Sequence, residues 1–542
     1  MKKENAYKLF LAPMVILLTV GCSMSNRSKG SSYKESSSAS SDTSTSTSEN
    51  SNSSSKTSSS SSSYEDSSSE PYIPGDPVLA DSEKYQEFWN PSSKLSINIE
   101  LSREAAEFIN DYQYNHDDST YHSYYVPCTF TLVMNDEEYV FEEVGIRQKG
   151  NMSRDHCLID GHFHLGSLAH YKLSFKETFD DVEYDEIVPL QQFKKTWDDN
   201  ADRKNRKKRT LFDMEKIDIK WNRNNDQTRS KQAYALKLFR DNGVLAGHSS
   251  LADTFISITG DTPINTTYEV LECIDSVFIK RHFDEPRADG DLYKCTYTNR
   301  GAANFSSSYK VGDQIGVEDD TKQYHPVYDL KTNKKKNTTH TGLLNLISVI
   351  NDKKSSASEY ASKIEKVMDM QNFMMMESIA YLLGNFDDMR NNANNYYLYI
   401  ASTTNIAYII PYDFDRCLGA GAEGRQDYMT SFSPESTKMQ CSGNWQTISL
   451  YWRTVCTSTS SSSGHANVER VEKYRALYQS NIEYLINNRI LSYDTFSAFV
   501  NSFPVDYRGN PDEAGYDNTT FADYLQKKIQ AIKDNTTYNI NI

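Results

Sequence analysis

The sequence has no CxxC pair, no apolar run long enough to cross a bilayer and stay, and no surplus of positive charge. The first absence removes the common zinc fingers and ribbons. With Cys22 set aside, Cys128, Cys157, Cys273, Cys295, Cys417, Cys441 and Cys456 remain, an odd number at wide spacing. An exported chain permits disulfides, and Cys441 with Cys456 is the expected local pair, which leaves at least one thiol over. A net charge of -16 argues against nucleic acid as a general partner. One basic run, Arg203-Lys204-Asn205-Arg206-Lys207-Lys208-Arg209, stands against that balance and reads as a solvated loop. His162 and His164 share a strand face but have no carboxylate placed near them, so they read as polar loop residues rather than metal ligands.

What the first 75 residues do contain is a leader and a tether. Lys2-Lys3, the apolar run from Leu9 to Val20 and the Gly21-Cys22 junction match an export signal, too short for a spanning helix. Small residues before Cys22 resemble a lipobox, although Thr19 stands where leucine is commoner. The expectation is a signal over residues 1–22, lipidation at Cys22, and export to the outer face of a bacterial membrane, which Cys22 would engage. Residues 23–75 are dominated by Ser with Thr, Asn, Lys and Glu, and have too little apolar surface to offset the entropy of ordering, so they read as a disordered tether.

Residues 76–542 hold all five tryptophans and alternate apolar runs with Gly and Asn turns, as a globular body does. Tyr125–Met134 and Glu138–Arg147 are strand-like runs around an Asn135-Asp136 turn, and Tyr171–Phe175 is a further short strand. Asp226 opens a helix that ends at Gly243; Tyr268–Ile274 and Val277–Phe283 alternate like strands, and another strand begins at Gly290. Helical periodicity then takes over at Thr341–Asn351, Ser358–Gly384 with a break near Met368, and Val468–Asn488. The plan is α+β, with a β-rich N-terminal lobe over about 76–300, a helical C-terminal lobe over 301–542, and a cleft between them.

The stretch from Asn385 to Asn395 is too rich in Asn and Asp for regular structure and reads as a loop. Tyr396–Ala401 and Ile406–Tyr412 follow as an antiparallel hairpin. Strands of this length run out roughly 20 Å and return roughly 5 Å from their start. Asp413-Phe414-Asp415 are therefore expected beside Asn395 and the loop that holds Asp387. Two or three carboxylates with an amide oxygen make a site for a hard cation such as Mg2+ or Mn2+, the ions that share carboxylates with substrate phosphates. Phosphoryl transfer needs a base aspartate, a metal-binding asparagine and aspartate, and a phosphate-neutralising lysine. In that order they are Asp387, Asn395, Asp413 and, ahead of them, Lys172, with Asp415 as a further ligand. The turn from Gly145 to Ser153 places Lys149, Gly150 and Ser153 between two strands, where phosphate could be cradled.

The segments Gly145-x-Arg147-x-Lys149-Gly150-Asn151-x-Ser153, Trp221-Asn222 with Asp226-x-x-Arg229, Glu272-x-Ile274-Asp275, Gly290-Asp291-Leu292-Tyr293-Lys294, Asn385-x-Asp387, Asn395-Tyr396-Tyr397-Leu398-Tyr399 and Pro411-Tyr412-Asp413-Phe414-Asp415 resemble, in order, the motifs of the spore coat CotH kinase family. The resemblance spans roughly residues 95–500. It implies an atypical two-lobe kinase-like fold that uses ATP and a divalent metal to phosphorylate Ser or Thr on surface or coat proteins. It also implies Asp387 as the catalytic residue, Asp413 as a metal ligand and Asn395 between them. Lys149 and Lys172 both remain open as the phosphate lysine, and Glu272 is the candidate for orienting it or touching nucleotide. The sequence departs from protein kinases in lacking His-Arg-Asp, in a longer spacing from base to asparagine, and in Asp-Phe-Asp where Asp-Phe-Gly is usual. Its loop before Tyr-Tyr-Leu-Tyr is also longer than the family's, so Asp388 or Asn392 could have taken over a neighbour's role. An exported domain meets little ATP, so a surface adhesin or scaffold that keeps the fold without catalysis is the competing expectation. The Ser-rich tether is a candidate for autophosphorylation.

Overall fold

This computed structural model describes residues 74–542, apart from 115–120, 151–152, 224–225, 420–433, 435–437, 440–442, 445–447, 457–463, 466 and 515–518. Cys22, Cys441 and the tether up to residue 73 therefore lie outside the described residues, and so do the expectations that rest on them. Among the described residues no helix is long and apolar enough to cross a membrane.

After α1 (Glu83–Trp89), strand β1 (Leu95–Leu101), helix α2 (Arg103–Tyr112) and strands β2 (Val126–Met134) and β3 (Glu137–Gln148) follow in turn. The alternation in β1 and β2 sends Leu95, Ile97, Ile99, Leu101, Phe130 and Leu132 inward, each at most 1% exposed. Asn135 and Asp136 take positive φ, as a two-residue hairpin turn requires. A small pair, β4 (Leu158–Ile159) and β5 (His162–Phe163), precedes β6 (Tyr171–Ser174); then come α3 (Glu183–Glu186), α4 (Asn200–Arg206), β7 (Lys216–Trp221), α5 (Lys231–Asp241), β8 (Ser249–Ile258) and β9 (Ile264–Glu272). Seven strands close into a barrel in the order β1-β2-β3-β6-β7-β9-β8, sealed by parallel pairing of β1 with β8.

Several sequence expectations shift here. The helix expected from Asp226 starts at Lys231, because residues 226–230 fold as a turn; Asp226 nevertheless accepts a hydrogen bond from Lys231 N at 2.9 Å. Val277–Phe283 is not a strand: Ser276–His282 forms α6, because Asp275 accepts from the amides of Val277 and Phe278 and starts a helix. The basic run is a solvated loop only in part, with Lys204, Asn205, Lys207 and Lys208 exposed. Its first part is α4, Arg203 and Arg206 pair with Asp180 and Glu143, and Arg209 donates to the carbonyls of Phe175, Glu142 and Glu143.

Beyond the barrel, β10 (Asp291–Cys295), β11 (Ile315–Gly316), β12 (Tyr328–Leu330), β13 (Tyr396–Ile400) and β14 (Ala407–Pro411) form a five-stranded sheet in the order β11-β12-β10-β13-β14. The sheet thus joins strands from both sides of the expected boundary at residue 300. β13 is buried along its whole length, and one large core joins this sheet to α7 (Thr341–Ile350), α8 (Ala357–Ile364), α9 (Met370–Leu383) and the helices Glu472–Asn487, Tyr493–Ser502 and Phe521–Lys533. The expected break near Met368 lies between α8 and α9. Gly384 ends α9 with φ of 65°, a left-handed stop.

Candidate active site

Barrel strands present alternate residues to two faces, and this parity builds half of the site. On β7, Ile217 and Ile219 point into the barrel core, so Asp218 and Lys220 point outward. Lys172 on β6 stands opposite Asp218, and Glu269 on β9 stands opposite Lys220. The outer face of the wall therefore carries a row of charges. Asp218 takes Lys149 Nζ on one oxygen at 2.8 Å and Lys172 Nζ on the other at 2.9 Å. Burial would raise the Asp218 carboxyl, but the two ammonium groups outweigh it and hold the carboxyl far below the usual range. Burial pushes Glu269 up to about 7 despite Lys220 nearby.

The other half comes from the segment after α9. Asp388 caps one turn of helix, α10 (Met389–Asn392), within the stretch expected to be all loop, and Ala393 closes it with φ of 50°. Arg390 ties this turn down through the buried Glu377 of α9, 3.2 Å away, which also accepts from Tyr451 at 2.7 Å. Asp388 thus has a capping role, buried at 1% exposure, and burial pushes its carboxyl up to about 8. Its neighbour Asp387 is more open. Asp387 Oδ1 accepts from Asn392 Nδ2 at 2.6 Å and Asn394 Nδ2 at 3.1 Å, and Oδ2 accepts from Asn395 Nδ2 at 3.1 Å. Burial still raises the Asp387 carboxyl above its ordinary value, because these amides only partly replace water.

The hairpin joins the halves. Tyr396 pairs with Pro411, Tyr412 N donates to Asn395 O at 3.2 Å, and Asn385 Nδ2 donates to Asp413 O at 3.1 Å. Asp387, Asn395 and Asp413 are thereby brought together, as the return of the hairpin predicts. Tyr412 receives Lys149 Nζ at 2.7 Å and donates to Asp218 at 3.1 Å. Asp413 and Asp415 both pair with Lys220, the latter at 2.9 Å. Burial raises the Asp413 carboxyl less than Lys220 and Lys149 lower it, so it stays well below the usual range. Asp413 also holds φ of 60°, a left-handed conformation that is uncommon for a non-glycine residue.

Two acidic side chains and adjacent asparagine amides form an oxygen donor set suited to Mg2+ or Mn2+. The Lys220 ammonium bridging Asp413 and Asp415 shows that this pair is built to face positive charge. Gly150, at φ of 96°, turns the chain after Lys149; a Cβ there would lie 1.9 Å from Ser153 Oγ, which donates to Lys149 O at 3.2 Å. Asn151 and Met152 of this turn lie outside the described residues.

Glu272 is not brought into this group. It lies opposite Ile217, on the parity that faces into the barrel, and its oxygens take Tyr85 OH at 2.7 Å and His248 Nδ1 at 3.0 Å. The lysine partner is Asp218 instead. Burial opposes the Glu272 charge, but His248 and Tyr85 hold its carboxyl at about 2. Because that value lies below the unfolded one, the stabilisation is complete above about pH 4.5 and is lost as pH falls towards 2. Glu272→Gln is expected to cost ~1–3 kcal/mol, the usual cost of removing a charged hydrogen-bond partner. A urea titration near neutral pH reads that loss.

Asp218 and Lys220 were missed in the sequence, although Lys216-Ile217-Asp218-Ile219-Lys220 alternates charge with isoleucine, a period-two signal for a strand with one polar face.

The arrangement defines a mixed α/β protein in which a lysine-bearing strand wall meets an Asp–Asn–Asp loop and hairpin. The family model described as CotH kinase protein matches residues 146–502, well over half of the chain, and the chain belongs to that family. Among solved structures it is similar to the proinflammatory kinase CtkA of Helicobacter pylori, at 11% identity over 59% of this chain and 88% of that one, with a TM-score of 0.29. A likeness that low adds nothing to the description of the fold. No curated protein matches the chain.

Proposed function

We propose that this chain is an ATP-dependent protein kinase that transfers phosphate to Ser or Thr of surface or coat proteins. The observation that carries the reading is the convergence of Asp387, Asn395 and Asp413 beside a lysine-bearing wall. In this reading the barrel with its flanking helices is the first lobe, and the five-stranded sheet with its helices is the second.

Asp387 serves as the base. Its two oxygens are fixed by asparagine amides, so the carboxylate is oriented before a hydroxyl arrives, and burial makes it more basic than a free aspartate. Asp413, Asp415 and Asn395 would hold a divalent ion, which when bound would supply positive charge to the phosphates of ATP. Lys149 and Lys172 share the single carboxylate of Asp218, and burial with Lys331 pushes Lys294 near them down to about 8. The wall therefore carries positive charge in excess, which suits a polyphosphate. Lys149 and Lys172 act together here, with Gly150 and Ser153 shaping the turn next to Lys149. Lys220 holds Asp413 and Asp415 through its ammonium group, at the carboxylates a divalent ion would need.

Export through the Cys22 signal would place this activity at the outer face of a bacterial membrane, with the Ser-rich tether in reach as a substrate of its own kinase. One observation favours a scaffold instead: Lys220 already neutralises Asp413 and Asp415, so the site is electrostatically satisfied without metal.

The full chain, incubated with γ-labelled ATP and Mg2+ or Mn2+, is expected to label itself or a Ser-rich acceptor protein, and EDTA should abolish the label. No incorporation with either metal, in protein that melts cooperatively, would establish the scaffold reading.

A further inference from the structure

A second group of ligand-type side chains lies outside this site. His122, in the turn before β2, faces Glu318, Asp320 and His325 from the connection between β11 and β12, and one ligand atom from each falls within 4.8 Å of all the others. His122 Nε2 is 3.2 Å from Asp320 Oδ1, His325 Nδ1 is 3.1 Å from Glu318 Oε1, and His325 Nδ1 is 3.9 Å from Asp320 Oδ1.

We infer that His122, Glu318, Asp320 and His325 form a structural site for a first-row divalent metal ion, zinc by preference, that pins the turn before β2 to the β11–β12 connection. Four ligands bonded at ~2.0–2.1 Å to a tetrahedral ion would have their atoms ~3.3 Å apart. Two of the distances above already match that edge, so closing the set needs only small side-chain movement. Two imidazole nitrogens with two carboxylates exclude Mg2+ and Ca2+ as the natural occupants and suit zinc. Two carboxylates with two neutral imidazoles also balance a divalent charge.

An independent observation points to a ligand here. Asp320 has a side chain only 5% exposed, and its Oδ1 accepts no hydrogen bond although it faces His122. A buried acceptor left this way is costly unless something else satisfies it. The surrounding contacts hold the set in place. Arg147 donates to His122 O at 3.0 Å, Asp329 Oδ1 accepts from Glu318 N at 2.9 Å, and Lys331 faces Glu318 Oε2 at 3.3 Å while leaning on Asp329. Because all four positions would be filled by protein, the site would be closed to substrate, as structural zinc sites are.

The test strips the full chain with EDTA, dialyses it against Zn2+ in a large excess of Mg2+, and counts zinc per chain by atomic emission while recording the melting temperature. The native chain should hold one zinc and melt higher with it. His122→Ala and His325→Ala should hold at least tenfold less at the same free zinc, lose the zinc-induced rise, and melt like the native chain in EDTA. Asp413→Asn should keep its zinc, which separates this site from the kinase site whatever becomes of the transfer activity. The proposal is overturned if the native chain binds no zinc under these conditions. It is equally overturned if the histidine variants bind as much as native, or if only Asp413→Asn loses the ion. A histidine variant that melts below the native chain in EDTA is judged on cobalt: native protein alone should give the visible bands of tetrahedral Co2+, and their absence there counts against the site.

Discussion

Asp218→Ala is expected to destabilise the chain by ~3–5 kcal/mol, the range seen when one partner of a buried ion pair is removed. Two ammonium groups, Lys149 and Lys172, rest on this one carboxylate, and the Asp218 side chain is 1% exposed. Deleting it leaves both cations close together beside β6 and β7, with Tyr412 OH and Cys273 Sγ as the remaining acceptors among the described residues. Against a total stability of ~5–15 kcal/mol, such a loss would be visible as a large fall in the urea midpoint. Asp218→Asn keeps the shape but not the charge, and should fall nearly as far. If the effect is electrostatic, Lys149→Met and Lys172→Met added to Asp218→Leu should recover most of it, because an apolar replacement removes the whole group at once. The pH dependence follows from the sign of the shift. A carboxyl held below its unfolded value contributes fully above about pH 4, and loses that contribution only as pH falls towards its depressed folded value. The acid limb of the native stability curve should therefore be steeper than that of Asp218→Asn. A variant within 1 kcal/mol of native would mean that the two lysines are solvated, and the charged wall would lose its meaning.

The sequence reached the hairpin and its consequence because both signals are local. Tyr396–Ile400 and Ala407–Pro411 are apolar and aromatic runs around a short polar turn, and such a ribbon can only return Asp413 to Asn395. Closure of the barrel was not legible, since it depends on β1 pairing with β8 across some 150 residues of chain, with no pattern in either strand to name its partner. Ser276–His282 was misread because a seven-residue helix shows barely two turns of periodicity, and the capping Asp275 outweighs its β-branched content. Glu272 was grouped with the site by motif proximity, whereas strand parity sends it to the opposite face from Glu269. His122 and His325 are two hundred residues apart, which hides any ligand spacing; the nearer pair His162 and His164 drew notice, yet His162 simply pairs with Asp261 at 2.7 Å.

Adjacent aspartates give the sharpest test of the chemistry. Asp387→Asn should lower phosphate transfer by ~10²–10⁴-fold, the range for losing a positioned general base, with nucleotide affinity unchanged. The amide oxygen can still accept from Asn392 and Asn394, whereas its NH2 cannot accept from Asn395 Nδ2 as Oδ2 does, and the amide cannot take a proton from the acceptor hydroxyl. Asp388→Asn, one residue along, should leave transfer near the native rate. Burial pushes that carboxyl up to about 8, so at neutral pH it is already largely uncharged, and its Oδ1 caps α10 by accepting from Asn391 N at 2.8 Å and Asn391 Nδ2 at 3.1 Å. Asparagine does the same. Asp413→Asn should differ from both, weakening the binding of metal and nucleotide together, because its carboxyl is the one that Lys220 and Lys149 keep ionised. For the native chain, the acid limb of kcat/KM should report the Asp387 carboxyl and lie above the ordinary aspartate value, since burial raises it and transfer requires its ionised form. An Asp387→Asn variant that transfers at the native rate would remove the base from the mechanism. Equal losses in Asp387→Asn and Asp388→Asn would trace both to the fold of α10, because only a structural fault affects a base and a cap alike.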